Sequence, residues 1–162
     1  MDKLTMHLQT ILTGLSILIA TSGCGFLAWD EPEEKLRIVY ENESSDTILL
    51  KFVQDNLNKI DYSWEDSLVI SPLKSVIQLE FVANDSNDSD NIEKAGKFYK
   101  DFSIGLYQSD ALVKTWEGPP GYYGDSIHSP FNYDSWEIRP VESNPENIVG
   151  AVTFTITEED LE

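Results

Sequence analysis

The sequence of residues 35–162 predicts an all-β domain: an antiparallel β-sandwich, Greek-key or immunoglobulin-like, of about seven or eight strands. Three observations carry this expectation. Apolar residues recur with a period of two in short runs, as they do on half-buried strands. Clusters of Gly, Pro, Asn, Asp and Ser separate the runs. Strands do not alternate with long helical patterns, which argues against a parallel nucleotide-binding sheet.

The runs are read in chain order. "KLRIVYENES" (35–44) places Leu36, Ile38 and Tyr40 on one face. "TILLKFV" (47–53) is a compact run rich in β-branched and aromatic residues, and "SLVIS" (67–71) stops at Pro72. "KSVIQLEFVA" (74–83) sets Val76, Gln78 and Glu80 against Ile77, Leu79 and Phe81. "DFSIGLYQ" (101–108) and "ALVKTWE" (111–117) are separated only by Ser109 and Asp110, which predicts a tight hairpin. "DSWEIRPVE" (134–142) and "GAVTFTIT" (150–157) complete the set, the last with Val152, Phe154 and Ile156 inward and Thr153, Thr155 and Thr157 toward solvent. Helical candidates are confined to "NIEKAGKFY" (91–99) and the weaker "VQDNLNKI" (53–60), and "NDSNDSDN" (84–91) reads as a polar loop.

The chain of 162 residues holds 29 Asp plus Glu against 11 Lys plus Arg, for a formal net charge of −18. Binding to nucleic-acid phosphates depends on Lys and Arg that release counterions, so nucleic acid is not an expected partner. The acids are spread over many short segments, as on a solvated surface that keeps a protein soluble. One cysteine, Cys24, permits no internal disulfide, so the core alone holds the fold.

The N-terminus divides into three parts. A polar start with Lys3 precedes an apolar stretch strongest over residues 11–20, and small residues then lead into Cys24. The apolar stretch is short for a transmembrane span, which needs about 20 residues. Ser22, Gly23 and Cys24 match the last three positions of a lipobox, with Thr21 where Leu is preferred. The segment resembles a bacterial lipoprotein signal. That resemblance implies cleavage of residues 1–23 by signal peptidase II and acylation of Cys24, giving a membrane partner through the lipid. Gly25, rather than Asp, follows the cysteine, which implies delivery to the outer membrane. Residues 24–34 then form the lipidated cysteine and an acidic tether containing Asp30, Glu31, Glu33 and Glu34.

Motifs for chemistry are sparse. His7 lies in the signal, so His128 would have to serve as the base of any Ser-His-Asp triad, and no nucleophile elbow surrounds a serine. Zinc needs several His or Cys ligands, which are missing. The 84–91 loop carries closely spaced oxygen ligands but lacks the glycine and terminal glutamate of an EF-hand; a calcium site and a solvated turn both fit it. Glycoside hydrolysis by paired carboxylates depends on a separation that sequence does not give. No cofactor, catalytic residue or metal ligand is assigned, and a non-enzymatic role is expected.

The most distinctive stretch is "TWEGPPGYYGDSIHSPFNYDSWEIRP" (115–140), rich in Gly, Pro and aromatic residues between two strands. Exposed rings on a loop make a binding platform at low entropy cost. Trp116, Tyr122, Tyr123 and Tyr133 are the candidate ligand-binding residues, with a glycan as the alternative ligand to a protein partner. The competing expectation is that Phe131 and Trp136 plug the sandwich end while the others decorate the loop.

"LVKTWEGP", "SPFNYDSWEI" and "FTITEEDL" together resemble a group of small Bacteroidota envelope lipoproteins of unassigned activity, with a C-terminal FN-x-x-SW element. The likeness covers residues 101–162 well and the first half only in strand pattern. It implies an envelope location, outer membrane or cell surface, and a β fold, and it supplies no catalytic residues. "DTI" (46–48), "DSL" (66–68) and "DSI" (125–127) resemble the sequon for O-glycosylation of exported Bacteroidota proteins, which marks Thr47, Ser67 and Ser126. Asp-Ser is also ordinary turn chemistry before a strand.

Overall fold

Two four-stranded sheets face each other in the computed structural model, which describes residues 32–54, 67–84, 87–141 and 146–162. All eight expected strands form: β1 (Lys35–Asn42), β2 (Ile48–Gln54), β3 (Ser67–Ile70), β4 (Lys74–Val82), β5 (Phe102–Gln108), β6 (Ala111–Trp116), β7 (Trp136–Pro140) and β8 (Ile148–Ile156). One sheet has the order β4-β1-β8-β7 and the other β3-β2-β5-β6. Every pair is antiparallel except β1 with β8, which run parallel from Lys35↔Ile148 to Asn42↔Ile156. The described chain belongs to one compact unit, Glu33–Glu162, apart from Pro32. The expected signal, Cys24 and most of the tether lie outside the described residues, as does nearly all of the 53–60 helical candidate.

Local chemistry explains the hairpin between β5 and β6. Ser109 and Asp110 both take positive φ, 49° and 67°, between the paired Gln108 and Ala111. Two successive positive φ values give the primed turn whose twist suits a two-residue hairpin.

Among the described residues one α-helix forms, α1 (Asp88–Lys97), which starts three residues before the expected 91–99. Asn87 is its N-cap, with Oδ1 accepting from Asp90 N at 2.9 Å. Asp88 and Asp90 sit in the first turn and Lys94 and Lys97 in the last, each complementing the helix dipole. The second half of the expected 84–91 loop is therefore the first turn of a helix. Asn91 completes it, accepting from Asn84 N at 2.6 Å and donating to the carbonyls of Asn84 and Asn87. The Asn91 amide binds backbone, and Asn87 Oδ1 accepts from both Asp90 N and the Ser89 hydroxyl. Among the described residues no group of three His, Cys, Asp or Glu could hold a metal ion.

Two strand faces differ from the alternation read in sequence. The β1–β4 register slips so that Ile38 faces Leu79 and Val39 faces Ile77, which leaves Gln78 in a bulge. Beyond it, Ile77 turns outward and is exposed, while Leu79 and Val76 pack on the core. Thr153, expected toward solvent, is buried because β8 is a central strand and its register sets Thr153 between Val39 and Glu137.

The core is aromatic at its centre. Tyr40 meets Phe52, Trp136, Phe154 and Tyr99 edge-on at centroid distances of 5.7, 5.6, 5.9 and 6.3 Å. Tyr99 stacks against both Phe52 and Trp136. Ile38, Leu50, Ile104, Leu106 and Val152 complete the packing between the sheets. Burial raises the Tyr40 phenol well above its ordinary pKa, and the neighbouring Tyr99 adds to the effect. The Tyr40 hydroxyl makes no well-formed hydrogen bond. The hydroxyl faces that of Tyr99 without good geometry, so in a urea titration Tyr40→Phe is expected to change stability by less than about 1 kcal/mol in either direction. A loss of about 2 kcal/mol in the same titration would mean that the hydroxyl is satisfied in solution.

Candidate functional site

Residues 117–135 leave the end of edge strand β6 and return at the start of β7, the edge strand of the other sheet. The segment thus closes one flank of the sandwich. Its anchors are ring N–H groups and one amide. Trp116 Nε1 donates to His128 O at 3.1 Å, and Trp136 Nε1 to Pro130 O at 2.9 Å. Both indoles are buried, so each carbonyl satisfies a donor that the core cannot.

Asn132 organises the loop. It is wholly buried, with Oδ1 accepting from Tyr123 N at 2.9 Å and Asp134 N at 3.2 Å. Its Nδ2 donates to Gly124 O at 2.9 Å and Ile127 O at 2.6 Å. One side chain thus uses its full amide capacity to fix three separate backbone segments. Gly121 adds a short parallel bridge, donating to Phe131 O and accepting from Tyr133 N. Ser135 Oγ donates to Ile127 O at 2.9 Å, and Asp134 Oδ2 accepts from Gly124 N at 2.8 Å. Gly124 has a φ of 83°, which favours glycine there.

This scaffold separates the four candidate rings. Trp116 and Tyr133 are buried, at 4% and 7% exposure, so a platform of all four is corrected to two surface rings. The reason is packing: Trp116 meets Phe154 edge-on at 5.7 Å, and Tyr133 lies on Gly96 of α1, where no side chain stands in its way. Tyr122 and Tyr123 are 53% and 44% exposed. Tyr122 stands edge-on to Tyr133 at 5.0 Å, and the Tyr123 hydroxyl donates to Pro119 O. Desolvation holds the phenols of Tyr122 and Tyr133 above their ordinary pKa, with the Glu93 carboxylate the next cause in both. Phe131 and Trp136 are buried, as the plug expectation had them.

His128 pairs with an acid, Asp160. Its Nδ1 lies 3.0 Å from Asp160 Oδ1, and its ring stacks on Phe154 at 4.7 Å. Among the described residues no Ser or Thr hydroxyl is hydrogen-bonded to the imidazole; nearby Ser129 instead accepts from Phe131 N. Asp160 also takes Lys114 Nζ at 2.7 Å and Thr157 N at 3.1 Å, closing a capping box on the last turn. The cluster therefore ties β6, the loop and the C-terminus together, an arrangement suited to holding structure.

Burial alone would raise the Asp160 pKa, but hydrogen bonds from His128, Lys114 and Thr157 outweigh it and the net shift is downward from 3.8. A depressed folded pKa stabilises the fold above the unfolded value, and that contribution is lost as pH falls through the folded value. Urea midpoints of the wild type and Asp160→Asn are thus expected to differ most near neutrality and to converge as pH drops below about 4. A gap that stays constant down to acid pH would contradict the role assigned to the carboxylate.

Thr47, Ser67 and Ser126 are all exposed. Asn132, Asp160 and Gly96 are the site residues that sequence reading missed. The spacing Thr157-x-x-Asp160 is a capping-box signal, and a glycine inside a helical run marks close packing. Asn132 falls in the FN-x-x-SW element, but nothing local assigns it a role beyond that of an ordinary turn asparagine. No known protein family, curated protein or solved structure matches the chain.

Proposed function

We propose that this chain is a lipid-anchored protein of the outer membrane or cell surface, and that its β-sandwich is a non-enzymatic interaction module. The contact surface is the 117–135 loop. One observation carries that assignment: Asn132 ties the loop backbone together with four hydrogen bonds while Tyr122 and Tyr123 stay about half exposed at its turn. Rigid rings lose little entropy on binding, which makes them effective anchors. The lipobox-like residues Ser22, Gly23 and Cys24 support the anchor, and a charge of −18 disfavours nucleic acid as the partner. A glycan is the alternative ligand, with Tyr122 and Tyr123 as its platform. The exposure of Thr47, Ser67 and Ser126 is compatible with O-glycosylation, which intact mass of the exported protein would read as an increment beyond the lipid.

Two measurements test the reading. Cys24→Ala is expected to move the protein from the membrane to the soluble fraction; unchanged partitioning would refute the anchor. Cross-linking on intact cells is expected to capture partners that Tyr122→Ala/Tyr123→Ala loses while Cys24 is intact. An identical partner set would refute the loop as the contact surface.

A further inference from the structure

The surroundings of the two exposed tyrosines carry chemical information. Tyr133 packs on Gly96, and Tyr122 packs on Tyr133, so Tyr122 lies along the flank of α1 that leads back from Gly96. Glu93 and Asp90 precede Gly96 at successive steps of three residues, which places them along that same flank. Their charges act on the Tyr122 phenol, as does that of Asp134, whose Oδ2 accepts from Gly124 N just beyond the rings. Asp125 is exposed on the same turn. Among the described bases, Lys97 lies 3.5 Å from Glu93 and is itself largely exposed, while Lys94 is engaged with Val82 O. The rings thus sit in a rim where acids outnumber bases.

We propose that Tyr122 and Tyr123, rimmed by Asp90, Glu93 and Asp134, dock a cationic segment: a peptide or protein surface bearing Arg or Lys. The proposal rests on the loop reading above and specifies its ligand class. Ring faces carry negative quadrupole density that attracts guanidinium and ammonium groups, and neighbouring carboxylates add to that attraction. An anionic ligand would be repelled by the rim and by the chain's charge of −18. A neutral glycan would have stacking faces but no counterpart for the carboxylates.

The test is fluorescence anisotropy with the full-length protein in non-ionic detergent. The probes are a labelled short peptide of alternating Arg and Gly, a Glu-Gly peptide of equal length and a labelled neutral oligosaccharide. The Arg-Gly peptide is expected to bind and the Glu-Gly peptide not to, with binding that weakens as NaCl is raised. Tyr122→Ala/Tyr123→Ala is expected to weaken it by about tenfold through loss of two ring contacts. Asp90→Asn/Glu93→Gln, which leaves the rings in place, is expected to weaken it severalfold. Equal peptide affinity in the wild type and the tyrosine variant would overturn the proposal, since generic attraction to an acidic surface would explain it. Tyrosine-dependent binding of the oligosaccharide without the peptide would overturn the cationic class yet leave the loop reading standing. Loss of partners in the cross-linking experiment, combined with inert peptide and oligosaccharide, would likewise refute the ligand class alone.

Discussion

Asn132→Ala is expected to destabilise the domain by about 2–4 kcal/mol, because it leaves the Tyr123 and Asp134 amides without their acceptor and removes one of two donors from each of the Gly124 and Ile127 carbonyls, which keep Ile127 N and Ser135 Oγ. The side chain now serves Tyr123 N, Asp134 N, Gly124 O and Ile127 O. Each buried polar group left unpaired costs roughly 1–3 kcal/mol, and partial access of water to a relaxed loop keeps the total below a simple sum. Urea denaturation gives the magnitude. Hydrogen exchange gives the location: the Tyr123 and Asp134 amides should lose protection before those of β1 or β8. Asn132→Asp keeps the acceptors but sets a buried carboxylate oxygen against the Gly124 and Ile127 carbonyls, so near neutrality it should be no more stable than alanine and should recover as the carboxyl is protonated at acid pH. A loss below about 1 kcal/mol for Asn132→Ala would mean that the loop holds itself through Gly121, Ser135 and the two indoles.

Gly96→Ala should destabilise by about 1–3 kcal/mol, opposite in sign to the usual effect of this change inside a helix. An exposed helical glycine gains up to about 1 kcal/mol on becoming alanine. Here a Cβ would lie 2.2 Å from Tyr133 Cε1 and 2.9 Å from Cδ1, so the ring or the helix must move. Tyr133 is buried and Tyr122 packs edge-on against it, which limits its retreat. In Gly96→Ala/Tyr133→Ala the clash partner is gone, and a double-mutant cycle should show a favourable coupling between the two changes. Additive effects would contradict the contact. Because Tyr122 leans on Tyr133, the single variant should also shift the Tyr122 ring resonances.

Local patterns made much of this protein legible. The alternation of Leu36, Ile38 and Tyr40, or of Val152, Phe154 and Ile156, reports a strand whatever it pairs with, since successive side chains point to opposite faces. Two turn residues between β5 and β6 were enough to read the hairpin. The start of α1 was carried by Asn87 and the acids after it, a capping signal hidden inside a stretch that composition describes as a loop. The bulge at Gln78 was not legible, because a register slip depends on the partner strand.

The candidate site divides in the same way. The run of aromatic residues at 116–136 was conspicuous, but Trp116, Tyr122, Tyr123 and Tyr133 are equivalent by residue type. Which of them reach water follows from neighbours far away in the chain: Gly96 for Tyr133 and Phe154 for Trp116.

The sequence by itself determined the eight strand segments, the tight turn at Ser109–Asp110, the strongly acidic charge and the presence of an aromatic loop. Those are properties of residues within a few positions of each other. Only the tertiary structure decided that β1 pairs in parallel with β8, that the loop spans the flank between β6 and β7, and that Asn132 and Asp160 are its fasteners. The strand pairing, the course of the loop and the Asp160 contacts join residues separated by many positions, and the Asn132 contacts, though all within nine positions, form only where the folded loop turns back on itself; packing selects among partners that local periodicity leaves equivalent.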